Sequence, residues 1–311
     1  MSDVTTPSSG LLHMIYPYAG PQEYLSGTLA YIEQARSTGA AVVVAAPPEH
    51  RDVLSSHLRS DGKVAFMDTT AIGRNPGRLI PAWQDWIDRQ TDGRAVHGIN
   101  DAAASARGSA YSGEARYAEW LLNQAFAKAP AWSLLCPVDT DLQPVSAVEA
   151  LTRCHPLMWN GTGHTQVADY LPEPYAHDEL EEPPVPVESM TFTVDDLAAI
   201  REKVGGFAQV HRLPPARIRE LTLAVSEVAT NSIRYGGGRG TLRLWTQDDA
   251  LVCEVRDAGV ITDALIGRRR PSPRQLGGRG LWFVNQLCDL VQLRSDAGQG
   301  TRIRLWVDLT E

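Results

Sequence analysis

Lysine is almost missing from this chain of 311 residues. Lys63, Lys128 and Lys203 are the whole set, and arginine supplies the rest of the 29 basic residues. Against 37 acidic residues the formal net charge is −8. The imbalance is uneven: 17 basic and 14 acidic residues from Met190 onward give +3, and the preceding part, with 12 and 23, gives −11. Neither part carries the dense basic stripe of a nucleic-acid binder, which argues against direct DNA or RNA contact. Cysteine is equally sparse. Cys136, Cys154, Cys253 and Cys288 form no CxxC, and three of them sit in apolar runs, so buried reduced thiols are expected. Long hydrophobic runs are absent as well. The longest, 40–46, is stopped by Pro47-Pro48, far short of the roughly 18–20 residues that span a bilayer. Residues 1–10 are polar and show no charged-then-apolar leader pattern. The expectation is a cytoplasmic protein without a membrane partner. A GxxxxGK[ST] phosphate loop is also missing, because Asp61-Gly62-Lys63-Val64 lacks both the upstream glycine and the hydroxyl residue.

What remains is ordinary globular composition, 43% hydrophobic and 21% charged, in a length that suggests two domains. The clearest break is 169–188, DYLPEPYAHDELEEPPVPVE. Its prolines block helix and interior strand and its acidic residues favour solvent, so it reads as a semi-extended linker. Before it, apolar strand candidates at 13–16, 41–46, 64–67, 96–99 and 132–136 alternate with helix candidates at 22–36, 48–58, 77–90, 114–128 and 145–154. That alternation predicts an α/β domain at 11–168 behind a flexible 1–10, with a mainly parallel sheet covered on both faces. After the linker, a strand (189–194) and two helices (195–210, 215–234) precede strands at 241–247 and 251–256. A Gly/Arg/Pro-rich loop, a helix at 280–288 and strands at 290–295 and 301–308 complete 189–311, an α+β sandwich.

The second half carries the chemistry. Ile218, Leu221, Val225 and Val228 form one apolar stripe on the helix 215–234. Glu227 and Asn231, four apart, point the same way, roughly 100° from that stripe. A carboxylate and a carboxamide so placed can hold a magnesium ion and a water together. Alone, the pair reads first as a solvated face. Asp257-Ala258-Gly259 then ends an apolar strand, where an aspartate can serve as a turn residue or accept from an exocyclic amine. Gly277-Gly278-Arg279-Gly280-Leu281 opens a helix, where glycines let backbone N–H groups approach a phosphate. Gly298-Gln299-Gly300-Thr301 leads into the last strand as a hairpin turn.

As an ordered set within about 85 residues, EVATN, DAG, GGRGL and GQGT resemble the GHKL (Bergerat) ATPase superfamily. The compact form and the spellings SEVATNSIRYG and GGRGLWFV resemble its anti-sigma-factor serine kinases. The resemblance implies an ATP-Mg site in which Asn231 holds Mg²⁺ and Glu227 is the base or a polarising carboxylate. Asp257 then accepts from the adenine amino group with Thr301 in support, and Gly259, Gly277, Gly278, Arg279 and Gly280 line the nucleotide. Residues 261–275 become a lid whose Arg268, Arg269, Arg270 and Arg274 meet phosphates or solvent. It further implies a sigma factor and a STAS-type antagonist as partners, a homodimer, and a role in transcriptional stress signalling. Two departures stand out: Ile261 occupies the place of a second glycine in the DAG box, and the lid is short and broken by Pro271 and Pro273. No helix carrying a phospho-accepting histidine precedes this half, whose single histidine, His211, falls between two helices. Trp245, Trp282 and Trp306 are expected in the core.

In the first half, HMIY at 13–16, GRNP at 73–76 with IPAW at 80–83, EWLLN at 119–123 and LLCP at 134–137 resemble the MEDS sensory domain, a RecA-like sheet without a phosphate loop. This resemblance implies a small-molecule or partner pocket at the strand ends, for which His13, Tyr16, Arg74 and Asp139 are the candidates. For His13 and Tyr16 the favoured reading is nevertheless the core, with satisfied polar tips. Cys154-His155 offers a metal only two ligands and is not read as a metal site.

Overall fold

The protein is described from a computed structural model. It covers residues 10–59, 62–69, 72, 75–90, 93–101, 108–129, 131–172, 179–183, 187–272 and 278–309. The chain divides into two compact units, 1–73 with 82–176, and 74–81 with 177–311.

The first unit is built on β1 (Leu11–Tyr18), β2 (Ala41–Ala46), β3 (Val64–Asp68), β4 (Val96–Asn100) and β5 (Trp132–Asp139). Between them come α1 (Gly20–Ser37), α2 (Pro48–His57), α3 (Leu79–Asp88) and α4 (Gly108–Ala125), and α5 (Val145–Thr152) follows β5. The sheet order is β3-β2-β4-β5-β1-β6-β7, where β6 (Leu157–Trp159) and β7 (His164–Gln166) form a hairpin. Every pair is parallel except that hairpin. Runs such as AVVVAA are buried along their whole length, as a sheet covered on both faces requires. Sequence pattern did not reveal β6 and β7, because three residues are too few to show a period. On one face Met14, Tyr16, Tyr31, Ile32, Val44 and Trp159 pack together.

The second unit is an antiparallel sheet of order β11-β12-β10-β9-β8. Its strands are β8 (Glu188–Phe192), β9 (Gly240–Gln247), β10 (Ala250–Asp257), β11 (Leu290–Asp296) and β12 (Gly300–Asp308). Helices α6 (Leu197–Val210), α7 (Pro215–Tyr235) and α8 (Gly280–Leu287) join one face of it in a core of Ile200, Leu221, Val225, Cys253, Val284 and Leu305. The other face carries arginines and tryptophans. Trp245 and Trp306 are buried there, as expected, whereas Trp282 on α8 is only half-buried.

That polar face corrects the reading of 169–188 as wholly solvated. Glu182 pairs with Arg243 (2.9 Å), Arg256 (2.9 Å) and Arg302 (3.4 Å), Arg302 donates to the Leu180 carbonyl, and Leu180 is buried. The arginines on alternate outward positions of β9, β10 and β12 hold Leu180, Glu181 and Glu182 of this stretch against the sheet. Their hydrogen bonds, Arg243 first, hold the Glu182 carboxyl down to about 2.

The segment Pro76–Pro81 also packs within the second unit. Asn75 Nδ2 donates to the carbonyls of Asn285 (3.0 Å) and Cys288 (3.3 Å). Arg78 donates from Nε to Asn285 O (2.8 Å) and from Nη2 to Gln286 O and Cys288 O (both 2.9 Å). These carbonyls end α8, where the helix leaves acceptors unsatisfied and the dipole is negative, so a guanidinium is doubly suited to them. Arg78→Ala is expected to lower stability by about 1–2 kcal/mol, read from chemical denaturation of the full chain. Unchanged stability would mean that water serves the helix end equally well.

Candidate functional site

α7 starts at Pro215, a residue suited to a first helical position, and buries Leu221, Val225 and Val228. Its period leaves Glu227 and Asn231 half-buried at the border of that face, one turn apart. The start of α8 lies directly against them. A Cβ placed on Gly280 would stand 2.8 Å from Glu227 Oε2 and 3.5 Å from Asn231 Nδ2, so only glycine leaves this edge open. Gly278, two residues earlier, has φ +71°, a backbone region that glycine enters without strain. Gly277 and Arg274 lie outside the described residues.

Asp257 ends β10 one turn further along α7. Ser232 Oγ donates to its Oδ2 (2.6 Å) and the Gly259 N–H to its Oδ1 (2.8 Å). The carboxylate is half-buried and fixed, with lone pairs left on both oxygens. Thr301 is its partner across the ladder. The Thr301 hydroxyl donates to Gly259 O (2.8 Å) and meets Ser295 Oγ at 2.8 Å, while Ser295 Oγ accepts from the Ile261 N–H (2.8 Å). Ile261, in the place of a second glycine, thus ties the DAG turn to β11. Glu227, Asn231, Gly280, Asp257, Gly259 and Thr301 are brought to one end of α7, where a half-buried carboxylate and carboxamide meet a helix start and a fixed carboxylate. Of the lid arginines, Arg268 is buried, whereas Arg269 and Arg270 are exposed.

The first unit does not assemble its four sequence candidates into one pocket. His13 and Tyr16 are three residues apart on β1, so a period of two sends them to opposite faces. Tyr16 is anchored by its hydroxyl, which donates to Glu23 O (2.6 Å) in the space that Gly27 leaves. Asp139 closes a turn, accepting from Asp141 N (2.9 Å) and Leu142 N (3.3 Å). Arg74 lies outside the described residues. At the carboxyl ends of the parallel strands stands a different group, which sequence reading did not single out. Buried Asp101 accepts at Oδ2 from the Tyr24 hydroxyl (2.7 Å) and meets His50 Nδ1 at 2.6 Å, and its Oδ1 has no hydrogen-bond partner among the described residues. The signal was weak, one aspartate after one strand.

The hydrogen bond to Asp101 raises the His50 imidazole above its usual range against the opposing effect of burial, with Glu49 and Asp139 adding to it. A raised histidine contributes stability that is full below the unfolded value of about 6.5 and is lost as pH rises through the folded one. His50 is therefore expected to titrate above about 6.5 by NMR, and to fall back in Asp101→Asn. A midpoint at or below that value would contradict the pairing.

Comparison with known proteins follows this division. The family described as "Histidine kinase-like ATPase domain" matches residues 190–307. The family described as "MEDS: MEthanogen/methylotroph, DcmR Sensory domain" matches 12–156. Among solved structures, the RsbU and RsbW domains of a Mycobacterium tuberculosis protein align at 15% identity, covering 40% of this chain and 33% of that one, with a TM-score of 0.29. The chain thus spans about a third of that structure. Comparison with curated proteins gives no match. No helix among the described residues is long and apolar enough to cross a membrane. The chain thus matches the MEDS sensory-domain family over 12–156 and the histidine kinase-like ATPase-domain family over 190–307.

Proposed function

We propose that this protein is an ATP-dependent serine/threonine kinase of the anti-sigma type. In this reading it sequesters a sigma factor and phosphorylates a STAS-type antagonist, under the control of a ligand or partner sensed by residues 11–168. The ATPase part would be 189–311, the linker 169–188, and the assembly a homodimer in the cytoplasm. The observation that carries the reading is the meeting of Glu227 and Asn231 with the side-chain-free start of α8 while Asp257 is fixed one turn away. Those residues fit Mg·ATP. Gly280 and Gly259 leave room that a Cβ would fill, against Glu227 Oε2 and Tyr235 O respectively, and a hard oxygen donor pair suits magnesium.

Bound Mg·ATP would supply the phosphoryl group to be transferred. Asn231 would hold the metal through its amide oxygen. Asp257, oriented by Ser232 and Gly259, would accept from the adenine amine, with Thr301 keeping the turn in place. The N–H groups at Gly278, Arg279 and Gly280 would face phosphate oxygens at the positive end of α8. Glu227 would accept the proton of the attacking serine hydroxyl. On the Asn75 and Arg78 cap of the opposite end of α8, sensing would act by shifting that helix.

The test is phosphotransfer from labelled ATP to a serine of a STAS-type protein by the full-length chain. Glu227→Gln is expected to slow transfer about 10²–10⁴-fold while ATP affinity stays within about threefold. Phosphate release with no protein acceptor would replace this reading with a nucleotide hydrolase. A second reading, a regulator working through contact with a degenerate nucleotide site, is favoured by Ile261 alone, whose N–H is already bound by Ser295. It predicts sequestration unaffected by Glu227→Gln and no transfer.

A further inference from the structure

We infer that His13, Glu119, Cys136 and His155 bind a divalent transition-metal ion, zinc above all, inside the first unit. The four come from β1, α4, β5 and the connection between α5 and β6, and all are buried. One ligand atom from each lies within 4.8 Å of the others. The separations are 3.2 Å from His13 Nε2 to Glu119 Oε2, 3.3 Å from His13 Nε2 to Cys136 Sγ, 3.4 Å from Cys136 Sγ to Glu119 Oε2, and 3.6 Å from His155 Nε2 to Glu119 Oε2. Bonds of about 2.0–2.1 Å to nitrogen or oxygen and about 2.3 Å to sulfur give tetrahedron edges of roughly 3.3–3.6 Å. Four of the six edges already stand near those spacings, and the other two lie within 4.8 Å.

Their outer partners settle which atoms face inward. The Asn123 amide donates from Nδ2 to Cys154 O (2.8 Å), so its Oδ1 accepts from His13 Nδ1 (3.1 Å). His13 therefore carries its hydrogen on Nδ1 and presents the Nε2 lone pair to the cluster. His155 Nδ1 donates to Leu151 O (2.8 Å), which leaves its Nε2 also as a lone pair, buried and without a hydrogen-bond partner among the described residues. Asn100 Nδ2 occupies Glu119 Oε1 (2.8 Å), so Oε2 is the oxygen turned inward. Three lone pairs converge on one thiol, whose single hydrogen serves one of them. A cation satisfies all four at once. Loss of the thiol proton gives two anionic ligands against two positive charges, so the filled centre is neutral, as burial demands.

The donor set selects the ion. Two imidazoles, a carboxylate and a thiolate in a closed tetrahedron suit zinc and do not suit magnesium or calcium, which take oxygen. Four protein ligands leave no open position for catalysis, so the site fixes β1, β5 and α4 to one another. Asn123, Asn100 and the Leu151 carbonyl act as the orienting groups that metal-bound histidines and carboxylates use. His155 thus finds its fellow ligands across the fold and not in Cys154, whose thiol donates to Ala150 O (3.3 Å).

The test uses the full-length protein from zinc-supplemented culture, desalted and assayed by plasma mass spectrometry. About one zinc per chain is expected. Cobalt(II) loaded into metal-stripped protein should give a thiolate-to-cobalt charge-transfer band, lost in Cys136→Ser while cobalt still binds. Asn123→Ala, which removes no ligand, should weaken zinc binding about 10–100-fold. A folded wild-type chain that retains no zinc and takes up no cobalt overturns the proposal, as does a cobalt spectrum that Cys136→Ser leaves unchanged.

Discussion

Asp257→Asn is expected to weaken Mg·ATP binding by the full-length protein about 10–100-fold, the loss of a hydrogen bond to a charged acceptor worth roughly 1.5–3 kcal/mol. The size follows from how the carboxylate is held. Ser232 Oγ and the Gly259 N–H each take one oxygen, so the side chain does not turn to relieve a mismatch. Asparagine keeps one carbonyl oxygen and puts an NH₂ where the other stood. If that oxygen stays on Gly259, the NH₂ faces Ser232, which reverses its hydroxyl, and the site presents a donor to the adenine amine. Inosine triphosphate, which has no amine there, should lose little affinity in the same variant. An equal loss for both nucleotides would show a general collapse of the turn and remove the adenine role of Asp257.

Glu254→Leu is expected to cost about 3–5 kcal/mol of folding stability, the range for breaking a buried ion pair from one side. Glu254 is fully buried on β10 and holds Arg304 Nε at 2.6 Å, Arg256 Nε at 2.5 Å and Arg243 Nη1 at 3.3 Å. Arg304 is itself buried, stacked over Trp245 at 5.2 Å, and donates to the Glu181 carbonyl. Removing the carboxylate leaves that guanidinium with one backbone acceptor and no counter-charge. Arg243 and Arg256 retain Glu182, so their loss is smaller. Glu254→Leu combined with Arg304→Met should recover much of the stability, because the uncompensated charge is gone. Chemical denaturation of the three proteins checks this. A single variant within about 1 kcal/mol of wild type would mean that Glu182 alone neutralises the arginine face.

The parts legible in the sequence are those with a local period or a glycine requirement. Strand and helix alternation before 169 gave the parallel sheet, because each element shows its own buried run. Glu227 and Asn231 were readable as one edge of α7 from the 3.6-residue turn, Gly280 from its place at a helix start, and Gly259 only through the family resemblance. What remained hidden depends on residues far apart in the chain. His13 lies 106 residues from Glu119 and 123 from Cys136, and only the neighbouring of β1 and β5 brings them together. Arg78 reaches carbonyls more than two hundred residues on, and an arginine after a Pro-Gly pair carries no sign of that. The docking of Glu182 required knowing that arginines on three strands share one outward face. One miss was local: His13 and Tyr16 are an odd number of positions apart, and a strand cannot turn both into one pocket.

Calorimetric titration of the full chain with Mg·ATP reads the proposed nucleotide site at the end of α7 directly. The expected result is binding of about one nucleotide per chain that is weakened by Asn231→Ala and lost when magnesium is chelated. A folded wild-type protein that gives no binding, or binding that neither chelation nor Asn231→Ala alters, would contradict it.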